Sequence, residues 1–341
     1  MPRRAAISGT GLIGASIGLG LAREGWMIRG WDPSSVVLDV ALELEAINTK
    51  AGSFDELGAS DVDLIVLAGP PAAVVDQVTR LETSALVIDV AGVKQAVIAA
   101  ARPQRFVGTH PMAGREVTGP RGASPSLFRG AGWVVVEDGA ARPDLAAVED
   151  ILRMLGAEPI RMTAAEHDAA VAMISHLPQV LAAALANEAA DRTRALDLAA
   201  GSFRDLTRVA ASDPALWVDL LAKNAVEVNA AIADLQGRLD KVAGALAEGK
   251  TETIRHFLDR GRSIRSSLAP PVIAVRVALA DEPGELARVG RAFGASAVDV
   301  RDLQLRHAPH GGGGVLTVSV RPGEAETLRT ALEDEGLLVV D

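Results

Sequence analysis

The sequence predicts an α/β chain in three parts. A doubly wound, mostly parallel sheet is expected over residues 1–162, an all-helical region over 163–269 and a small α+β unit over 272–341. Three observations carry this. A strand-like run, a glycine-rich turn and a helical stretch occupy residues 4–23, and strand and helix patterns then alternate. At Thr163 the alternation stops and long helical spacings begin. After Pro270-Pro271, which reads as a linker, the pattern becomes β-α-β-β-α-β.

The chain has 341 residues, 49% of them apolar, enough for two or three domains with sizeable cores. A net charge of −10 argues against nucleic acid, which needs a basic footprint. It leaves room for an anionic substrate held by a few local arginines. The absence of cysteine excludes disulfides and thiolate chemistry. The absence of tyrosine leaves acid–base work to His, Asp, Glu or Lys. Met1-Pro-Arg-Arg4 runs straight into the first strand without a hydrophobic leader, and no uninterrupted apolar run approaches membrane-spanning length. A soluble, cytoplasmic protein with no nucleic-acid or membrane partner is expected.

Residues 4–8 read as the first strand, and Gly9-Thr10-Gly11-Leu12-Ile13-Gly14 follows before a helix. G-x-G-x-x-G gains its meaning from that setting. Gly9 allows the tight turn, Gly11 lets backbone approach a pyrophosphate, and Gly14 lets helix and strand pack closely. The helix start, with Leu12 and Ile13, favours phosphate charge. A second strand at 27–31 ends in Asp32, about 20 residues past the glycines. An acid there bonds a ribose 2′-hydroxyl and repels a 2′-phosphate, so NAD is expected as cofactor rather than NADP. Further strands read at 63–68, 85–90, 106–108, 131–137 and 158–162. Helices open at Gly69-Pro-Pro71, after Ala91-Gly92-Val93-Lys94 and over 143–155. The loops at Gly9, Gly69, Gly92 and His110 all follow strand ends, so they should line one crevice.

His110-Pro-Met-Ala-Gly-Arg-Glu116 follows a short run at 105–108 that reads as a parallel strand. Pro111 removes a donor and forces the chain out of the sheet. The bent loop would present one imidazole and one carboxylate, Glu116. A surface turn with an incidental histidine fits these residues equally well.

Thr163-Ala-Ala-Glu166 has the form of a capping box, which starts a helix. That helix carries His167-Asp168 and then Ser175-His176-Leu-Pro178-Gln179. Pro178 should bend it and free a carbonyl near Ile174. His176 and Gln179 share a face. His167 precedes His176 by nine residues and falls on the opposite face, so a metal pair is discounted. His176 reads either as a satisfied core histidine or as a ligand-facing one. Asp205 and Arg208 at i,i+3 read as an exposed ion pair, or as an arginine oriented by its aspartate for a substrate carboxylate. Ser212-Asp-Pro214 opens a new helix. Leu216, Trp217, Leu220, Asn224 and Val228 recur at helical spacing, the mark of a core or a dimer interface. A last helix reads at 251–268. In the final unit, strands at 272–279, 298–306, 315–320 and 337–340 alternate with helices after Leu286 and over 324–335. The order is ferredoxin-like, with Gly311-Gly-Gly-Gly314 as a hairpin tip.

Taken together, His110-Pro-Met-Ala-Gly114 with Glu116, Ser175-His176-Leu-Pro178, and Asp205-Leu-Thr-Arg208 before Ser212-Asp-Pro-Ala-Leu-Trp217 resemble the prephenate and arogenate dehydrogenases of tyrosine biosynthesis. The similarity covers residues 1–269. The last unit, with Asp281-Glu-Pro-Gly-Glu-Leu286, resembles an ACT domain, a regulatory amino-acid-binding module. The resemblance implies NAD-dependent oxidative decarboxylation of prephenate, with arogenate as the alternative substrate. It implies that His110 takes the hydroxyl proton, that Arg208 held by Asp205 forks onto a carboxylate, and that His176 bonds the substrate side chain. Gln179 would face the substrate and Glu116 would gate or polarise the pocket mouth. The long apolar-striped helices point to a homodimer, and the ACT likeness implies an amino-acid effector at the last unit, tyrosine or else phenylalanine.

Two departures stand out. Gly92 occupies a position where the family often has a serine bonding the catalytic histidine, so another group must orient His110. Gln179 stands where many relatives carry a second histidine, which bears on substrate preference and on inhibition by tyrosine. A β-hydroxyacid dehydrogenase is disfavoured by the His110 loop. A non-catalytic sensor of NAD and an amino acid is encouraged by Gly92 and opposed by His110, His176 and Arg208.

Overall fold

The computed structural model describes residues 2–58, 61–114, 117–192, 194–267, 272–307 and 313–340. The chain forms two compact units, Met1–Gln236 and Gly237–Asp341.

The first unit opens with β1 (Arg4–Ser8), α1 (Leu12–Arg23) and β2 (Met27–Trp31). α2 (Ser35–Glu43) and β3 (Thr49–Lys50) follow in a stretch where the sequence patterns marked no element. Then come β4 (Leu64–Leu67), α3 (Pro71–Arg80), β5 (Leu86–Asp89), α4 (Gln95–Ala100) and β6 (Phe106–Val107). The six strands form a parallel sheet in the order β3-β2-β1-β4-β5-β6. This is the order of a Rossmann-like domain, and its switch point lies between β1 and β4. The central strands β4 and β5 are buried on both faces, so they read as continuous apolar runs. Ala5 and Ile7 pack with Ile17 and Leu21 of α1 on one face, and Ala6 packs with Val74 and Val78 of α3 on the other.

The sequence places His110 in a loop past a parallel strand, and the structure corrects this. The strand ends at Val107, and the chain crosses at Gly108 into β7 (Thr109–Pro111). β7 pairs antiparallel with β8 (Gly132–Val136), which pairs parallel with β9 (Glu158–Met162) after α5 (Arg142–Met154). The cause is Thr109, whose amide donates to Asp89 Oδ1 at 3.1 Å and whose hydroxyl bonds the Asp89 carbonyl. These bonds hold the chain beside the end of β5 while His110 pairs with Val134.

α6 (Ala164–Val171) starts at the expected capping box, with Thr163 and Glu166 satisfying each other's backbone amides. A five-residue π-turn, Ala172–His176, joins it to α7 (Leu177–Ala190). Pro178 lies in the first turn of α7, so the expected bend near Ile174 takes the form of this π-turn. The continuous stretch Ala164–Ala190 has mean hydropathy 1.6 and is long and apolar enough to cross a membrane, though no uninterrupted apolar run in the sequence reaches that length. Three of its polar side chains, His167, Asp168 and His176, are buried, while Glu166, Asn187 and Glu188 are exposed. α8 (Gly201–Thr207), a 3-10 turn (Arg208–Ala211) and α9 (Pro214–Lys223) follow. Asp213 caps α9 and Pro214 is its first residue, as the sequence indicates. α10 (Ala225–Ala247) packs Val228 and Ala231 on Ala172 and Leu177.

The second unit holds the end of α10, α11 (Thr251–Ser267), β10 (Ile273–Leu279), α12 (Glu285–Ser296), β11 (Asp302–His307), β12 (Gly314–Val320), α13 (Ala325–Asp334) and β13 (Leu338–Val340). Its antiparallel sheet runs β11-β12-β10-β13. Val275, Val277 and Val318 pack beneath Val289 of α12 and Leu328 of α13. The Pro270-Pro271 linker and Gly311-Gly312 of the glycine run lie outside the described residues.

Candidate active site

The glycine turn at the switch point is shaped by close approach. Gly9 has φ +87°, and a Cβ there would lie 2.6 Å from the Ala68 carbonyl oxygen. A Cβ on Gly14 would lie 1.9 Å from the Gly9 oxygen. Beside Gly11 the space is open, and the first turn of α1, at Leu12 and Ile13, has no side-chain cap. An uncapped helix start is a ready anion site. Asp32 follows β2, and its carboxylate accepts from the amides of Thr10 at 2.9 Å and Ser34 at 3.0 Å. Thr10 Oγ1 is buried with no partner among the described residues. Gly69 leaves β4 beside Ala73 at the start of α3. Open space, an uncapped helix start and a held carboxylate at the second strand fit the pyrophosphate and ribose of a dinucleotide.

His110 lies within a chain of hydrogen bonds. Its Nδ1 is 2.9 Å from Nε2 of His167, and Nδ1 of His167 is 2.7 Å from Oδ1 of Asp168. Asp168 also accepts from the backbone amides of Lys94 at 2.7 Å and Gln95 at 2.8 Å, capping α4. Asp219 of α9 caps α3 in the same way, accepting from Ala72 at 2.7 Å. Two carboxylates from the helical stretch thus sit at the starts of the two helices that follow β4 and β5, where helix dipoles favour them. Burial pushes the Asp168 carboxyl up, but hydrogen bonds from His167 and from the Gln95 and Lys94 amides outweigh it, and its pKa ends below the ordinary value. Burial, then the neighbouring His167, Lys94 and His176, hold His110 well below the usual histidine range. The ring is therefore neutral at pH 7.

Beneath His110, Lys94 and Asp89 form a fully buried ion pair. The Lys94 ammonium also donates to the Thr109 carbonyl at 2.8 Å. Gly92 stands directly against the histidine. A Cβ there would lie 3.6 Å from His110 Cε1 and 3.7 Å from Nε2. With glycine in place of a serine here, the side chain within hydrogen-bond reach of the His110 ring is His167.

His176 is buried, and its Nδ1 lies 3.1 Å from Asn224 Nδ2, which also donates to the Asp168 carbonyl at 2.8 Å. The ring meets Trp217 edge-on. The expectation that His167 and His176 face opposite ways fails because the π-turn between them breaks the 3.6-residue count. Both belong to the cluster around Asp168. Among the described residues no three His, Asp or Glu side chains are placed to hold a metal. Gln179 is 7% exposed, and its Oε1 has no partner among the described residues. Asp205 ends up on α8 and Arg208 opens the 3-10 turn, both exposed, and that turn packs on α7. Glu116 lies outside the described residues.

The sequence reading passed over His167, Asp168, Asn224, Asp89 and Lys94 as site residues. Asn224 read as one position of an apolar stripe. A signal exists for His167 and Asp168 alone: adjacent His and Asp on an otherwise alanine-rich helix must either be exposed or be satisfied inside.

Residues 17–161 match the family model described as prephenate dehydrogenase, nucleotide-binding domain, and residues 163–260 match prephenate dehydrogenase, dimerization domain. A prephenate dehydrogenase of Lactococcus lactis subsp. cremoris is 30% identical, over 84% of this chain and 85% of that protein. A probable prephenate dehydrogenase of Streptomyces niveus is 32% identical over 96% of each. The crystal structure of Synechocystis arogenate dehydrogenase superposes with TM-score 0.68 at 28% identity, over 78% of this chain and 100% of that one.

Proposed function

The chain belongs to the prephenate dehydrogenase family, and from that premise we propose that it converts prephenate to 4-hydroxyphenylpyruvate by NAD-dependent oxidative decarboxylation. The observation that carries this reading is a neutral, partly buried His110 against the Gly92 loop of a dinucleotide fold. NAD, when bound, accepts the hydride that leaves C4 of the substrate ring. His110 takes the C4 hydroxyl proton as negative charge moves away with that hydride. Loss of the ring carboxylate as carbon dioxide sends its bonding electrons into the ring, and the oxygen on C4 takes the proton back from His110. Protons balance without a bulk donor.

In this reading Arg208, held by Asp205, binds a substrate carboxylate as a fork. His176 bonds the side chain, and Glu116 gates or polarises the pocket mouth. Gln179 offers the substrate a buried carbonyl oxygen. An ammonium would satisfy that oxygen, which favours arogenate as the second reading, since arogenate carries an amino group in place of the keto oxygen. Asp32 repels a 2′-phosphate and selects NAD. The test is NADH formation with prephenate and with arogenate, each repeated with NADP. Turnover with prephenate and NAD is expected. Failure with both ring substrates would leave the sensor reading, and equal turnover with NADP would remove the role given to Asp32.

Arg208→Ala should lose about 2–4 kcal/mol of transition-state binding, the scale for removing one partner of a closed charge pair. An unchanged kcat/KM would make Arg208 a surface ion-pair residue.

Two further readings extend the proposal. Leu246 and Leu258 are each 62% exposed, and α10 and α11 form an open apolar groove with Val242 and Phe257 in it and Arg238 and Lys241 on its rim. A second copy of the chain covers this groove in a homodimer. Residues 272–340 have a ferredoxin-like order and are read as an ACT-like module that binds tyrosine near Gly284. Gly284 has φ +101° and open space beside it, so a ligand can approach its backbone. Titration calorimetry with tyrosine is expected to show binding that prephenate weakens reciprocally. Inhibition that survives removal of residues 270–341 would instead place tyrosine in the active site beside Gln179.

A further inference from the structure

Three histidines, one aspartate and one asparagine meet at the site, and their donors and acceptors admit few arrangements. An ionised carboxylate only accepts, so Asp168 Oδ1 requires a proton on Nδ1 of His167. A neutral His167 then has a bare Nε2, which accepts. The His110 nitrogen facing it at 2.9 Å must be the donor, so His110 carries its proton on Nδ1. Its Nε2, on the Gly92 side, is left as a lone pair. A second branch starts from the same residue. The Asp168 carbonyl accepts from Asn224, which fixes that amide with its nitrogen toward the site. The other hydrogen of that nitrogen points to His176 Nδ1, which must accept, so His176 carries its proton on Nε2.

We propose that Asp168 is the positioning residue that sets the proton pattern of the site, writing opposite tautomers into His110 and His176. His110 is held with a bare Nε2, the form that can take a proton. His176 is held with Nε2–H, the form that can only donate. The pair then distinguishes the substrate's two ends by hydrogen-bond polarity: a hydroxyl to be deprotonated at one and an acceptor oxygen at the other. Asp168 and His167 also take over the orienting duty left open by Gly92. When His110 takes the hydroxyl proton, its Nδ1–H stays bonded to His167, and the positive charge is spread toward the Asp168 carboxylate. No proton need leave the three residues before the ring oxygen reclaims it. The catalytic role assigned to His110 rests on the proposed function; the tautomers do not.

The experiment has two arms. Histidine-15N-labelled full-length protein is read by two-bond 1H–15N correlation, with resonances assigned through single His→Asn or His→Gln variants. The expected pattern in the resting protein is Nδ1–H for His110 and His167 and Nε2–H for His176. A proton on Nε2 of His110, or two protons on His167, overturns the proposal whatever the substrate proves to be. In the kinetic arm, Asp168→Asn should lower kcat about 10⁴-fold, the loss seen when the same change puts a Ser-His-Asp triad in the wrong tautomer. KM and NAD affinity should change little, and the His110 proton should move to Nε2. His167→Gln, whose Oε1 can still accept from His110, should retain more kcat than His167→Leu. A kcat for Asp168→Asn within about tenfold of the parent overturns the proposal. Should Asp168→Asn fail to fold, the His167 pair and the wild-type spectrum decide. Correct tautomers in a protein that oxidises neither prephenate nor arogenate would sink the proposed function and leave this inference standing.

Discussion

His110→Asn is expected to leave NAD binding intact and to lower kcat by at least about 10²-fold, the lower scale of general-base catalysis. The asparagine amide can occupy the place of Nδ1 and keep the bond to His167, but it presents no basic nitrogen on the Gly92 side. The groups that fit the dinucleotide, at Gly11 and Asp32, are separate from it. The same residue fixes the pH profile of the parent enzyme. Burial, His167, Lys94 and His176 together lower the His110 pKa well below 6.5. The neutral form is the active one, so kcat/KM should hold level as pH falls through 6.5 and drop only further down, where His110 protonates. Near-parental turnover in the variant, or an acid limb at or above the ordinary histidine value, would remove His110 as the base.

Most of the fold was legible because its signals are local. The glycine turn, the capping box at Thr163, and Asp213-Pro214 each state their geometry within a few residues, and the structure realises each of them. The site was legible only in part, because its geometry depends on tertiary contacts. His110 and His167 are 57 residues apart, and Lys94 and Asp168 are 74 apart. Counting faces on an ideal helix separated His167 from His176. The π-turn that unites them is favoured by Pro178, but periodicity cannot register an inserted residue. The passage from β6 into β7 was hidden for a similar reason. Phe106 to Gly108 reads as the end of a strand, and only the tie between Thr109 and Asp89 turns the chain into a second sheet.

Lys94→Met should destabilise the first unit by about 3–5 kcal/mol, the cost of breaking a buried ion pair by removing one partner. Neither side chain of the Lys94–Asp89 pair is exposed to solvent. With the ammonium gone, Asp89 keeps the amide donors of Ala91 and Thr109 but has no counter-charge, and the Thr109 carbonyl loses its donor. Burial lowers the Lys94 pKa, and the attraction of Asp89 and Asp168 opposes that, so the ammonium owes its charge to these neighbours. Denaturant melts followed by tryptophan emission isolate the relevant transition, because Trp26, Trp31, Trp133 and Trp217 all lie within Met1–Gln236. The double variant Asp89→Asn with Lys94→Met removes both charges and keeps one side-chain oxygen, which can serve the Ala91 or the Thr109 amide but not both. It should recover much of the loss, since the penalty belongs to the unpaired charge more than to the missing contact. Activity should not recover in step, because Thr109 precedes His110 and the lysine bond to its carbonyl helps hold that strand in place. A single variant within about 1 kcal/mol of the parent would mean that water reaches Asp89 and that the pair is not the anchor of the catalytic strand.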